Sequence, residues 1–227
     1  MSSPAARIAL IHATALSVAP VQSAFERHWP QARRMNLLDD SLSVDRAADG
    51  RLTDAMVQRF VDLASYAGRT GCDGILFSCS AFGPAIEAAG RATGLPTLKP
   101  NEAMFEQALA RQPAGGVLKL GLVATFHASI ASMTQELQAL AAARGIPVQL
   151  RSAFVPEAMD DLAAGRAADH HRKIAAAAGA LADCDAVMLA QFSMAAAAPE
   201  AQARLSCPVL SSPDCAVLAL MRTMRDA

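Results

Sequence analysis

One tryptophan, one tyrosine and no run of basic residues leave this chain little with which to hold a nucleic acid. Such a surface needs a stripe of Lys and Arg interleaved with aromatics that stack on bases, and here the net charge is −1. No apolar stretch approaches the roughly 20 residues that cross a bilayer, so no membrane partner is expected. The five cysteines (Cys72, Cys79, Cys184, Cys207, Cys215) are odd in number and lack framework spacing, which suits free thiols in a reducing cytoplasm. No Gly-rich phosphate loop occurs, because Gly115-Gly116 is not followed by Lys and Ser or Thr. His170-His171 are neighbours on a polar helical stretch, do not share a face, and suggest no metal site. The stretch from Arg7 to Pro20 resembles a secretory leader, but His12 interrupts its apolar run and the segment has a counterpart further on. Hydrophobic residues make up 53% of the chain and charged residues 18%, ample for one sizeable core or two lobes of about 100 residues each.

What the chain does have is an internal repeat. Cys72-Asp73 followed by the apolar run 74–77 recurs as Cys184-Asp185 followed by 186–189, 112 positions later. The same offset aligns Arg7-Ile8-Ala9-Leu10-Ile11 with Lys119-Leu120-Gly121-Leu122-Val123, Pro96 with Pro208, and Leu98 with Leu210. Three elements in one register without a gap indicate two copies of one α/β unit. Where the first copy carries Cys79 the second carries Gln191.

Each copy reads as alternating strands and helices. In the first, strands are expected at 7–11, 34–38, 75–78 and 96–98, with helices at 21–28, from the cap Thr53 onward, from Gly83-Pro84, and at 102–110 capped by Asn101. In the second, strands are expected at 118–124, 148–154, 186–190 and 209–211, with helices at 132–144, through 170–182, at 194–205 and at 214–225. Central strands that are apolar throughout belong to parallel sheets covered on both faces. The expected fold is therefore α/β, with two pseudo-symmetric lobes, each a parallel sheet of about four strands flanked by helices. Residues 1–98 with the last helix, 213–227, form the N-terminal lobe; 99–212 form the C-terminal lobe, with the joint at 112–116. Ligands bind such sheets at the carboxyl ends of strands, which singles out 12–14, 79–83, 99–101, 125–129, 191–194 and 211–212.

Those residues resemble a known group. Phe77-Ser78-Cys79-Ser80-Ala81-Phe82-Gly83, Gly121-Leu122-Val123-Ala124-Thr125 and Val187-Met188-Leu189-Ala190-Gln191-Phe192-Ser193-Met194 are similar to the cofactor-independent aspartate/glutamate racemase superfamily. That superfamily includes hydantoin and allantoin racemases, maleate isomerase and arylmalonate decarboxylase. The resemblance covers nearly the whole chain. It implies a site in the cleft between the lobes, no cofactor, and a small carboxylate or dicarboxylate substrate; a homo-oligomer is compatible with it. Its racemases oppose two cysteines. Here Cys79 stands at the first position and Gln191 at the second, which leaves decarboxylation, isomerisation or another single-thiol chemistry open. Arylmalonate decarboxylase also uses one cysteine, in its second half, so this chain resembles the mirror case.

Cys79 lies where a strand gives way to a helix, and backbone N–H groups there are expected to favour its thiolate. Cys72 and Cys184 precede their strands and read as structural; Cys207 and Cys215 read as core. Gln191 can donate and accept hydrogen bonds but is no base; it either orients substrate or fills the vacated cysteine position. Amides around Ser80, Ala81, Ser193 and Met194, with Thr125, would hold a carboxylate and its enediolate, flanked by Phe126 and Phe192; for the hydroxyls, helix capping is the alternative. His12 and His127 end the first strand of each copy and could protonate a leaving group, or be satisfied structural histidines. Lys99 ends an apolar strand and could pair with a substrate carboxylate or with Glu102. Three functions remain in view. They are a single-cysteine lyase or isomerase, a racemase whose second base is His127 or water, and a non-catalytic carboxylate-binding protein.

Overall fold

The computed structural model describes residues 5–111 and 116–226; the expected joint therefore lies, for 112–115, outside the described residues. The chain divides into two compact units. One comprises the residues up to Pro100 together with those from Ala216 on, the other Asn101–Cys215.

In the first unit, β1 (Arg7–His12), β2 (Arg33–Leu38), β3 (Gly74–Phe77) and β4 (Thr97–Leu98) form a parallel sheet in the order β2-β1-β3-β4. In the second, β5 (Leu118–Ala124), β6 (Val148–Phe154), β7 (Ala186–Leu189) and β8 (Val209–Ser211) repeat it as β6-β5-β7-β8. The central strands β3 and β7 are buried at every residue, whereas the edge strands β2 and β6 contain no fully buried residue. The helices are α1 (Val18–His28), α2 (Ser41–Asp49), α3 (Asp54–Arg69), α4 (Gly83–Thr93), α5 (Glu102–Leu109), α6 (His127–Ala143), α7 (Pro156–Ala163), α8 (Ala167–Gly179), α9 (Ala198–Gln202) and α10 (Ser212–Asp226).

The repeat extends to the hydrogen bonds. Ile8 pairs with Gly74 as Leu120 pairs with Ala186, and Ile75 with Thr97 as Val187 with Val209, each at the 112 offset. The recurring Cys-Asp has a physical role: Asp73 Oδ2 accepts from the Arg7 amide at 2.7 Å, and Asp185 Oδ2 from the Lys119 amide at 2.8 Å. Each carboxylate supplies a partner for the first amide of its central strand. Cys72 and Cys184 beside them are buried, and burial pushes both thiols up.

Several expected elements differ. Nothing was expected at α2, where only Leu42 is buried, so the apolar period that announces a helix is missing. Nothing was expected at α7 either; Gly165, at φ 75°, separates it from α8, which spans Ala167–Gly179 where the Ala-rich helix was expected through 170–182. The helix expected at 194–205 is a 3-10 turn, Phe192–Ala197, followed by α9, because Pro199 can sit only in the first turn of an α-helix. α6 starts at His127 rather than 132, which draws the loop after β5 into its first turn. Asn101 holds the cap position of α5, but its side chain does not cap; its Oδ1 accepts from Ser212 Oγ at 3.0 Å. Within the polar stretch at the start of α8, His170 itself is fully buried against α7, with Nδ1 on the Ala158 carbonyl at 2.7 Å.

Two glycines are required by close packing. A Cβ at Gly121 would stand 3.0 Å from Leu181 and 3.1 Å from Val187; one at Gly74 would meet Met224 and Leu220 of α10 at 3.3 and 3.4 Å. The second contact shows why the last helix, from Ala216 on, belongs to the first unit.

Candidate active site

In the first unit the candidate nucleophile is held by an aromatic clamp. Phe77, two residues before Cys79, and Phe82, three after it, both stack on Phe60 of α3, with centroids 5.1 and 4.8 Å apart. Thr53 starts α3 by accepting from the Met56 amide, and the helix buries Met56, Phe60, Ala64 and Ala67 along one face. This packing holds the turn that carries Cys79 at the carboxyl end of β3. Cys79 has extended backbone and is half-buried; a single 3-10 turn, Ser80–Phe82, separates it from α4.

The expected thiolate is not favoured there. Burial pushes the Cys79 thiol up and outweighs the Ala81 amide, the Ser43 hydroxyl and the positive charge of Arg46, which pull it down. The intervening 3-10 turn also leaves Cys79 outside the first turn of α4, where a helix dipole acts.

Ser43 and Arg46 both come from α2. Their placement is set by Arg59 of α3, which donates to Asp39 Oδ2 at 3.0 and 2.5 Å and to Asp45 Oδ2 at 2.6 Å. Burial alone would raise Asp39, but the Arg59 and Ser41 hydrogen bonds hold it below the ordinary carboxylate range. Ser43 Oγ donates to the Ala13 carbonyl at 2.5 Å. Arg46 Nε is shielded from solvent and has no hydrogen-bond partner among the described residues.

His12 is nearly inaccessible, and both ring nitrogens are engaged. Nδ1 meets Ser78 Oγ at 2.8 Å, and Nε2 meets Asn36 Oδ1 at 3.0 Å; Ser17 Oγ joins Ser78 at 2.7 Å. Burial lowers its pKa, partly offset by the Asn36 bond. His12 is therefore a satisfied interior histidine. Lys99 forms an ion pair with Glu87 of α4 at 3.0 Å, a partner not expected from the sequence.

In the second unit Gln191 ends β7 with extended backbone and precedes the 3-10 turn. Its Oε1 accepts from the Thr125 amide at 2.9 Å and from the Thr125 hydroxyl at 3.1 Å. The Met194 amide, expected to face a ligand, is spent on the Gln191 carbonyl at 3.0 Å, and the Phe192 and Met194 side chains are buried. Ser193, like Ser80 and Ala81 in the first unit, is partly exposed. Phe126 is 46% exposed, and His127 packs edge-on against Phe154 with centroids 5.3 Å apart. Among the described residues no group of three or more His, Cys, Asp or Glu is placed to hold a metal ion, and no helix is long and apolar enough to cross a membrane.

A family profile described as Asp/Glu/Hydantoin racemase matches residues 11–149, more than half of the chain. The chain belongs to the Asp/Glu/hydantoin racemase family. No curated protein matches it in sequence. Solved structures similar to it include an aspartate racemase homologue from Pyrococcus horikoshii OT3, at 16% identity, TM-score 0.72, and coverage of 96% of this chain and 99% of that one. An allantoin racemase from Klebsiella pneumoniae is similar at 14% identity and TM-score 0.71, covering 97% and 88%. Unliganded arylmalonate decarboxylase is similar at 22% identity and TM-score 0.59, covering 96% and 91%. At these identities the likeness is one of fold.

In this member of the Asp/Glu/hydantoin racemase family, the residues that sequence reasoning passed over are Ser43 and Arg46. The one local signal for them is Gly50, at φ 64°, which closes α2.

Proposed function

We propose that this chain is a cofactor-independent enzyme in which Cys79 is the reacting thiol, performing decarboxylase or isomerase chemistry on a small carboxylate. The observation that supports it is the setting of Cys79. It is a half-buried thiol at the carboxyl end of a central strand, with the Ala81 amide, the Ser43 hydroxyl and the Arg46 charge around its sulfur. Arg46 is a fitting counter-charge for a substrate carboxylate.

A thiol held in its neutral form is suited to giving a proton first. In a decarboxylation, the C–C bond to the departing carboxylate breaks and its electron pair passes into an enediolate. Cys79 then transfers its S–H proton to the carbon. The thiolate left behind is met by the Ala81 amide and the Arg46 charge, and by Ser43 when its hydroxyl turns from the Ala13 carbonyl to the sulfur; it regains its proton from solvent. In an isomerisation, Cys79 first gives its proton to solvent; the thiolate adds to an activated alkene, whose π electrons pass into an enediolate, the resulting single bond rotates, and elimination returns the thiolate, which regains the proton. Neither sequence requires a cofactor. Gln191 disfavours the racemase alternative, because its amide is neither acid nor base near neutral pH.

The test is a panel of small mono- and dicarboxylates incubated in D2O and followed by NMR with wild type and Cys79→Ala. Turnover or deuterium incorporation by wild type, lost in Cys79→Ala with an unchanged fold, is the expected result. Equal activity in Cys79→Ala would remove Cys79 from the chemistry.

A further inference from the structure

Gln191 is oriented by its neighbour. The Thr125 backbone N–H can only donate, so the Gln191 atom facing it at 2.9 Å is the amide oxygen and not the nitrogen. The Thr125 hydroxyl adds a second bond to that oxygen at 3.1 Å. The other end, Nε2, then carries two N–H donors in a fixed direction. It is shielded from solvent and has no partner among the described residues. Shielded donors are nearly always paired, and an unspent one in a native fold calls for a physical reason.

The first unit makes the contrast. There, one position before Ala13 and Cys79, the counterparts of Thr125 and Gln191 at the 112 offset, His12 meets Ser78. That pair is closed, since Asn36 takes the far ring nitrogen and Ser17 meets Ser78. In the second unit the Thr125–Gln191 pair ends in an open donor.

We propose that Gln191 Nε2 is the seat for one anionic oxygen of the ligand, a carboxylate oxygen or the enediolate oxygen derived from it, and that Thr125 is the positioning residue that aims it. The proposal rests on the reading that the chain binds small carboxylates. It assigns Gln191 a binding function rather than that of a vacant cysteine position. Because the amide end presents donors only, it selects a ligand with an acceptor at that point and rejects one that presents an ammonium group. Bonds from a fixed N–H strengthen as negative charge builds on the oxygen, so the same group favours an enediolate over the carboxylate it came from.

Malonate is the probe, with binding followed by isothermal titration. Gln191→Glu keeps an oxygen for both Thr125 donors but replaces the open donor with a charged acceptor. Its malonate Kd should rise roughly ten- to hundredfold, while its thermal midpoint without ligand stays near that of wild type. Thr125→Val removes one of the two aiming bonds and should raise Kd only a few fold. In 15N-labelled wild type, the Gln191 side-chain NH2 signals should move on adding malonate, a readout that does not depend on any variant folding. Unmoved NH2 signals, a Gln191→Glu affinity within twofold of wild type, or no binding of malonate at millimolar concentration would each overturn the proposal. Iodoacetamide labelling of Cys79 in the same samples keeps the two readings apart. An inert Cys79 with Gln191-dependent malonate binding removes only the catalytic assignment, and a reactive, turning-over Cys79 with malonate binding indifferent to Gln191 removes only this one.

Discussion

Ser43 Oγ donates to the carbonyl oxygen of Ala13 at 2.5 Å, which ties α2 to the chain just beyond the end of β1. The bond brings a polar helix face up to the Cys79 sulfur, where Ser43 and Arg46 counter the effect of burial.

The first prediction concerns the titration of that sulfur. Only the thiolate is alkylated, and the Cys79 thiol is pushed above its ordinary value, so labelling should rise with pH later than for a free cysteine. Removing a positive charge or a donor that steadies the thiolate raises the pKa further. Arg46→Ala and Ser43→Ala should therefore each slow Cys79 alkylation at pH 8, by roughly three- to tenfold. Mass-spectrometric labelling across pH checks this, and faster labelling in Arg46→Ala would contradict the placement of α2.

A second prediction is stereochemical. One thiol delivers its proton to one face of a carbon, and Gln191 offers no second acid or base. Any decarboxylation or exchange at Cys79 should give a single enantiomer, and wild type should not racemise that product. Chiral chromatography of an enantiopure product incubated with the enzyme in D2O decides it; fast racemisation would point to another base, of which the exposed His127 is one.

His12 carries a third. Its folded-state pKa is lowered by burial, so the unfolded chain takes up the proton first as pH falls. The stability it contributes is present above about pH 6.5 and is lost as pH drops from there through the folded value. His171 is shifted in the same direction by burial and by His170, so wild type alone would mix the two. The difference between wild type and His12→Gln isolates the His12 part, and it should shrink between pH 7.5 and 5.5 in denaturant unfolding. A difference independent of pH would mean that burial does not shift His12, and one that grows as pH falls would mean that His12 is charged in the fold.

The fourth tests the packing under β5. Gly121→Ala places a methyl 3.0 Å from Leu181 and 3.1 Å from Val187, and should cost about 1–3 kcal/mol. Gly74→Ala meets the ends of the flexible Met224 and Leu220 side chains at 3.3 and 3.4 Å and should cost less. Leu181→Ala in the Gly121→Ala background should recover part of the loss. Thermal or urea unfolding of the variants reads this directly.

The sheets were legible because their signal is local. The apolar runs 74–77 and 186–189 announce fully buried strands, and the 112 offset carries the same pairing into both sheets. The Cys79 and Gln191 asymmetry needed only alignment of the chain with itself. α2 was not legible, because its support is non-local: Leu42 alone is buried, and the tie to α3 runs through Arg59 to Asp39 and Asp45, 20 and 14 residues away. The spent Met194 amide was hidden for a similar reason, since a proline at 199 turns the expected helix into a 3-10 turn that folds back on Gln191.

By itself, then, the sequence determined the duplicated α/β architecture, the strand ends on which chemistry-bearing residues sit, and the replacement of a thiol by an amide in the second half. These follow from hydrophobic period and residue identity, which are properties of neighbours along the chain. Tertiary structure decided the state of each group. Burial set the direction in which Cys79 and His12 titrate, α2 supplied Ser43 and Arg46, and Thr125, 66 residues from Gln191, chose which end of its amide stands open. Desolvation and hydrogen-bond direction depend on atoms brought together across the fold, and no window of sequence contains them.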